Sequence, residues 1–422
     1  MNSRFSITAC VVGVICSLGV TAALAEAADT PPSLQLPALT GPYQVGKTSY
    51  DFADPSRPEI YTADPTDKRE LMVYVWYPSN AVPGAKPAPY LENAVVQALT
   101  SNAGLSPDDF VNLVYSIQTH AISGAAVSTA QCRYPILIFS PGFGVLPEVY
   151  TSQAEELASH GYIIASISHT YDSLVTEFPD GRIALQSSLL GSDNQQVLKQ
   201  DVDIRAADAR FVLNQLEHLN ANDPQGLFTG HLELNRVGIF GHSLGGTTVV
   251  NAMLLDRRFK AGLAMDGSSQ LYNTLFGNRV KNSLNRPFML INSEQFSTLS
   301  SIGPATESFY ENRLKNDAYN LTIKGTAHGN FEDGPLLIQP LSAYSQKLAD
   351  QLKDAFDAIG PIEGKRGAQI IDDYTLAFFD KYLKNQNLSL LNSPDPDYPE
   401  VQFSSRHVTN FVLPQPPAAP AF

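Results

Sequence analysis

The residues of this chain best arranged for chemistry are a serine between glycines, carboxylates that end apolar runs, and a late glycine-flanked histidine. Arg236-Val-Gly-Ile-Phe-Gly-His-Ser-Leu-Gly-Gly246 passes from a short apolar run through Gly-x-Ser-x-Gly into an Ala/Val/Leu-rich stretch. A strand that feeds a helix through so tight a turn needs Gly241 and Gly245, because a side chain at either would clash. Ser243 is then held on a strained turn with its hydroxyl exposed above a sheet. A serine hydroxyl is a poor nucleophile at neutral pH. It needs a base within hydrogen-bond reach and a carboxylate that orients the base.

Where this elbow is used, the chain order is serine, acid, histidine. Beyond the acid candidates only His328 and His407 remain. His407 falls in the C-terminal tail, where a solvated ring is the simpler reading, whereas His328 follows a strand in the glycine-flanked loop Lys324-Gly-Thr-Ala-His-Gly-Asn330. His328 is the expected base. Asp266 ends the strand after the elbow helix, and Glu294 ends the strand after that. Both would stand at the correct face of the sheet, so position does not choose between them; Glu294 could instead stabilise a loop and Asp266 cap a turn. The tetrahedral intermediate needs backbone donors for its oxyanion. The amide of Leu244 is one, and Phe143 in Ser140-Pro-Gly-Phe-Gly144 supplies the other, its glycines letting the loop turn back toward the serine. No Cys/His/Asp cluster suggests a metal, and the chemistry needs no cofactor. His169 and His242 read as satisfied structural histidines. Trp76, Phe143, Leu146 and parts of 79–131 are candidates to line an acyl pocket, with core packing as the plain alternative.

The elements that must position these residues alternate. Strands are expected from Tyr43, with a clear one at Glu70–Tyr77 stopped by Pro78. Residues 79–131 lack strand signal, carry a helix start at Ser106-Pro-Asp-Asp, and read as an insertion lying over the site. Strands at Tyr134–Phe139, Tyr162–Ile167, Phe259–Met265, Pro287–Ile291 and Tyr319–Ile323 then alternate with helices at about 148–160, 196–219, 244–255 and 367–383. A polar excursion interrupts them at about 172–195. This order predicts an α/β fold, a mostly parallel sheet covered on both faces, with ligands at the carboxyl ends of the strands. One domain is expected over 41–393, with a flexible lead-in at 26–40 and a proline-rich extended tail at 394–422.

Arg4, an apolar run over about 7–23 and Ala23-Leu-Ala25 form a secretory signal, residues 1–25, so the protein is expected to be secreted or periplasmic. Cys10 and Cys16 would leave with it. Cys132 then remains alone, without a disulfide, as a small apolar residue ahead of a strand. No other apolar run can span a bilayer. The net charge of −14 argues against nucleic acid or an anionic membrane as partner. Asn320-Leu-Thr and Asn387-Leu-Ser match glycan acceptors.

Taken together, Gly241–Gly246, Asp256-x-Arg258-Phe259 leading into Gly262–Asp266, Pro287–Glu294 and Gly325–Phe331 resemble the plasma-type platelet-activating factor acetylhydrolases, secreted or lipoprotein-associated α/β-hydrolases. Trp76-Tyr-Pro78, Phe139–Gly144, Leu157–Gly161 and Ile167-Ser-His169 extend the resemblance over about 71–383. It implies an α/β-hydrolase fold and a calcium-independent hydrolase of short-acyl esters, on phospholipids in its better-known members. It also implies Asp266 as the acid, against the fold-wide habit that favours Glu294. Pro141 stands where the family's oxyanion loop usually has histidine; the backbone role of Phe143 survives that change, while acyl preference need not. Cutinases and polyester hydrolases share the elbow and are the runner-up, with their acid near Glu294. A hydrolase-fold binding protein without chemistry is the remaining alternative.

Overall fold

The computed structural model describes residues 34–100, 107–190, 195–268, 271–272, 283–347, 349–350 and 358–407. The expected signal and most of the lead-in lie outside these residues. The strands are β1 (Leu34–Gln35), β2 (Gln44–Pro58), β3 (Lys68–Ser79), β4 (Ile117–Gln118), β5 (Ile122–Ser123), β6 (Tyr134–Ser140) and β7 (Ile163–Ser168). They continue as β8 (Val175–Glu177), β9 (Ile183–Leu185), β10 (Leu232–His242), β11 (Phe259–Met265), β12 (Phe288–Ser293), β13 (Ala318–Ile323) and β14 (Val401–Arg406). Ten of them form one sheet, in the order β14-β13-β12-β11-β10-β6-β7-β3-β2-β5. From β13 to β7 every pairing is parallel, while β14, β3 and β2 join antiparallel to their inner neighbours. No turn of the sheet closes it into a barrel.

A strand's side chains alternate between faces, so a strand buried on both sides is apolar throughout. In β6, Tyr134, Ile136 and Ile138 enter one core cluster, and Leu137 and Phe139 the other. The first face is covered by α4 (Gln195–Ala221) and α5 (Leu244–Leu255), through Val202, Ala209, Val212, Val249 and Met253. The second is covered by α3 (Thr151–Ser159) and the long helix α9 (Gly364–Lys384), through Leu157, Ile370, Tyr374, Phe378 and Phe379. Each large apolar side chain so buried contributes roughly 1.5–3 kcal/mol. Because the inner strands run parallel, Ser140, His242, Met265, Ser293 and Ile323 all end at one edge. That edge is where loops can converge.

The insertion forms α1 (Asn93–Thr100) and α2 (Pro107–Ser116) and the short strands β4 and β5. Val95, Val96, Leu113 and Val114 pack with Leu146, next to the Phe143 loop, and with Leu337 and Leu341 of α8 (Gly334–Tyr344), beyond the His328 loop. Two more helices follow β12: α6 (Glu294–Thr298) and α7 (Gly303–Arg313).

The structure corrects some expectations and adds to others. The described end of the lead-in is docked, with Leu34 and Leu36 buried and β1 paired to β4. The excursion contains a hairpin of β8 and β9, turning at Pro179-Asp-Gly181 with Gly181 at φ +85°. The tail expected to run over the surface supplies β14, paired residue for residue with β13. Cys132 is exposed rather than an apolar filler. Asn320 lies within β13, its amide bound to Asn292 and Glu307.

An edge strand presents unpaired N–H and C=O groups to any passing chain. A protein ended at residue 400 uncovers β13 in this way. It is expected to show a lower thermal midpoint and concentration-dependent light scattering; an unchanged midpoint and clear solution would show that β14 carries no such weight.

Candidate active site

The elbow is built by close approach. Ser243 adopts φ +56° and ψ −122° at the junction of β10 and α5, a conformation an L-residue reaches only when its surroundings impose it. Its N–H donates to the Met265 carbonyl at 2.8 Å. A Cβ added at Gly245 would come within 1.9 Å of the Ser140 carbonyl oxygen, and one at Gly241 within 2.6 Å of it. The start of α5 therefore lies directly on the end of β6.

Asp266 follows β11, buried and at φ +44°. Ser293, at the end of β12, donates its N–H to Asp266 Oδ1 (2.7 Å) and its hydroxyl to Oδ2 (2.6 Å). The same Oδ2 is 3.1 Å from His328 Nδ1, and His328 Nε2 is 2.9 Å from Ser243 Oγ. Three loops from three strand ends thus form one hydrogen-bonded line. Glu294 takes a different place: its carboxylate accepts the Gly325 N–H at 2.9 Å, bracing the histidine loop. Asn330 braces it from within, its side-chain oxygen accepting from Ala327 (2.8 Å) and Gly360 (2.7 Å). The His328 ring lies between Phe296, stacked at 4.4 Å and 7°, and His242, at 4.5 Å and 41°.

His242 is fully buried, with Nδ1 2.9 Å from the Tyr150 hydroxyl. Burial, and then His328, push its pKa well below the usual imidazole value, so it stays uncharged beneath His328. His169 is also buried, between Ser140 Oγ (2.9 Å from Nε2) and Asp208 (2.9 Å from Nδ1). His169 thus engages both ring nitrogens, whereas His242 engages Nδ1. His407 stands at the far edge of the sheet beside Asp317 and Tyr319.

Leu244 begins α5, where the first N–H groups have no acceptor within the helix. The Phe143 loop borders Ser243, since a Cβ added at Gly142 would sit 3.6 Å from Ser243 Cβ. Leu146 packs under the insertion. Trp76 is wholly enclosed in the core with Lys47 Nζ 5.3 Å from its ring, so it packs rather than lines an open pocket. Sequence reading missed Ser293, Phe296, Asn330 and Tyr150, whose roles depend on partners distant along the chain. Among the described residues no cluster of His, Cys, Asp and Glu could hold a metal ion, and no helix is long and apolar enough to cross a membrane.

A mostly parallel sheet with its serine elbow at the strand ends defines an α/β-hydrolase, and similar proteins make it a carboxylic ester hydrolase. The family described as "Platelet-activating factor acetylhydrolase, isoform II" matches residues 29–396, and the chain belongs to it. It is 28% identical to a probable 1-alkyl-2-acetylglycerophosphocholine esterase of Arthroderma benhamiae, covering 92% of this chain and 98% of that one. It is also 28% identical to the platelet-activating factor acetylhydrolase of Cavia porcellus, over 82% and 78%. Among solved structures, the ferulic acid esterase from Streptomyces cinnamoneus superposes with a TM-score of 0.73 at 28% identity, over 88% of this chain and 99% of that one.

Two outcomes are expected from this geometry. Gly245→Ala forces a methyl group into the β6 backbone and should cost at least about 3 kcal/mol, read from the urea midpoint; an unchanged midpoint would contradict the close approach. The second concerns pH. Burial, and then Arg205, lower the His169 pKa to about 4, so the unfolded chain takes up that proton first as pH falls from its value of about 6.5. The stability His169 contributes is present above about pH 6.5 and is lost toward pH 4. NMR should place its titration near 4, and the stability gap between the protein and His169→Asn should narrow over that window.

Proposed function

We propose that the protein hydrolyses short-acyl carboxylic esters through Ser243, His328 and Asp266. His328 takes the serine proton as Oγ attacks the ester carbonyl. Asp266, fixed by its two bonds from Ser293, keeps the imidazole oriented and stabilises the imidazolium. The amides of Leu244 and Phe143 receive the oxyanion. His328 then protonates the leaving alcohol, and water, activated by the same base, releases the acid from the acyl-enzyme. The observation that most supports this reading is the unbroken line from Ser243 Oγ through His328 to Asp266, at 2.9 and 3.1 Å. The names of the relatives point to acetyl esters of the ether glycerophosphocholine type, a small-molecule or lipid substrate. The signal-like first 25 residues support a reaction outside the cytoplasm. A second reading has one observation of its own: the similarity to a ferulic acid esterase favours hydroxycinnamate esters.

Purified protein would be tested on p-nitrophenyl esters from acetate upward, an acetyl ether glycerophosphocholine and a methyl feruloyl ester. Ser243→Ala and Asp266→Asn are expected to lower kcat by about 10³–10⁴-fold, and Glu294→Gln by only a few-fold. Dependence on Glu294 with survival of Asp266→Asn would reverse the acid assignment and favour a cutinase-like polyester or lactone hydrolase. A preference for the feruloyl ester would select the second reading.

A further inference from the structure

We propose that Arg205, held by Asp172, is a positioning residue that sets the direction of the Phe143 amide in the oxyanion loop. This rests on the reading of Phe143 as an oxyanion donor. Arg205 lies on the face of α4 turned to the core and is 1% exposed. Its Nε and one terminal nitrogen bind Asp172 at 2.7 and 3.0 Å. That same terminal nitrogen donates to the Gly142 carbonyl at 3.0 Å. The other donates to the Pro141 carbonyl at 2.8 Å, with Ser140 Oγ at 3.4 Å. Asp172 in turn accepts the Gly144 N–H at 3.1 Å, and the Tyr150 hydroxyl accepts that of Gly142 at 3.2 Å.

The argument follows from peptide planarity. The Gly142 carbonyl and the Phe143 N–H belong to one peptide unit, and in a planar trans peptide they point in opposite directions. No peptide bond among the described residues is cis. Tying the Gly142 oxygen to Arg205, on the core side, therefore turns the Phe143 N–H to the opposite side. Gly142 itself stands against Ser243. The guanidinium reads two successive carbonyls and a carboxylate at once, which its planar fork can do and a lysine ammonium cannot. A buried guanidinium costs several kcal/mol in lost hydration, and apolar packing would be cheaper for stability alone. Here that cost is tied to a loop conformation.

The surrounding charges are matched. Burial pushes the Asp172 carboxyl up, but Arg205 outweighs it and leaves it below the usual value. Asp201, 3.6 Å from Arg205, is pushed well up by burial and by Asp172, so one carboxylate faces one guanidinium. The row continues from Ser140 through His169 to Asp208, which Arg69 and Arg57 bind at 2.6 and 2.7 Å.

The test compares Arg205→Lys and Asp172→Asn with the unaltered enzyme, on the ester it hydrolyses best and on a trifluoromethyl ketone of the same acyl length. The ketone adds to the serine and forms an oxyanion; KM reports ground-state binding. Both variants are expected to lose about a hundredfold in kcat, with KM within threefold. Affinity for the ketone should weaken by the same factor, with a cooperative unfolding transition retained. Should a lone charge unfold the chain, Arg205→Met with Asp172→Leu removes both ions together and carries the same expectation. In the unaltered protein, the ketone should shift the Phe143 amide proton downfield. Variants that lose stability but keep kcat and ketone affinity would overturn the proposal, as would a rise in KM alone or a Phe143 amide that does not shift. Full activity in Ser243→Ala would instead overturn the reading on which the proposal rests.

Discussion

Everything at this site depends on how closely α5 can approach the end of β6. The contact is backbone against backbone, between Gly245 and the Ser140 carbonyl, with no room for a side chain. It fixes Ser243 and, one residue beyond the end of β6, the start of the loop that carries Phe143. Move α5 outward by the width of a methyl group and the Ser243 hydroxyl, the Phe143 loop and His328 no longer share a centre. The parallel register of β6, β10, β11, β12 and β13 then brings the remaining loops to the same edge. Sheet geometry therefore decides the chemistry, and the side chains complete it.

The electrostatic arrangement is economical. Asp266 is buried, and both donors of Ser293 satisfy its carboxylate oxygens where water is excluded. His242 lies directly under His328 but is held neutral by burial, so it offers packing without repelling an imidazolium. Phe296 closes the other face of the ring. An imidazole with two fixed faces and one fixed nitrogen has little freedom left to turn.

Much of this was legible in the sequence because its signals are local. The elbow is written in five consecutive residues, the histidine loop in seven, and the inner strands in short apolar runs. The acid was not local: Asp266 and Glu294 each end a strand, and family resemblance, rather than position, favoured Asp266. What separates them in the structure is Ser293, which binds Asp266 from 27 residues away. The strand β14 was hidden because an edge strand needs only one apolar face and this one follows a proline-rich stretch. The hold of Arg205 on the Phe143 loop left a trace that periodicity could have caught. Asp201, Arg205 and Asp208 repeat at helical spacing on the same face as Val202, Ala209 and Val212, so the buried side of α4 carries charge where only apolar residues are expected.

The bond from Gly360 to the side chain of Asn330 has a consequence for how the protein comes into being. The loop bearing His328 is closed by a residue 30 positions further on, and Ser243 precedes His328 by 85. No early portion of the chain holds both the groups and the brace that aligns them. Parallel pairings of this kind form late, because distant segments must meet before any of them is rewarded. On the proposed reading of Ser243 and His328, a chain still being synthesised is thus chemically silent. Reactivity on that reading waits for the segment that carries Gly360, and the cell that makes the protein is not exposed to a half-built hydrolase.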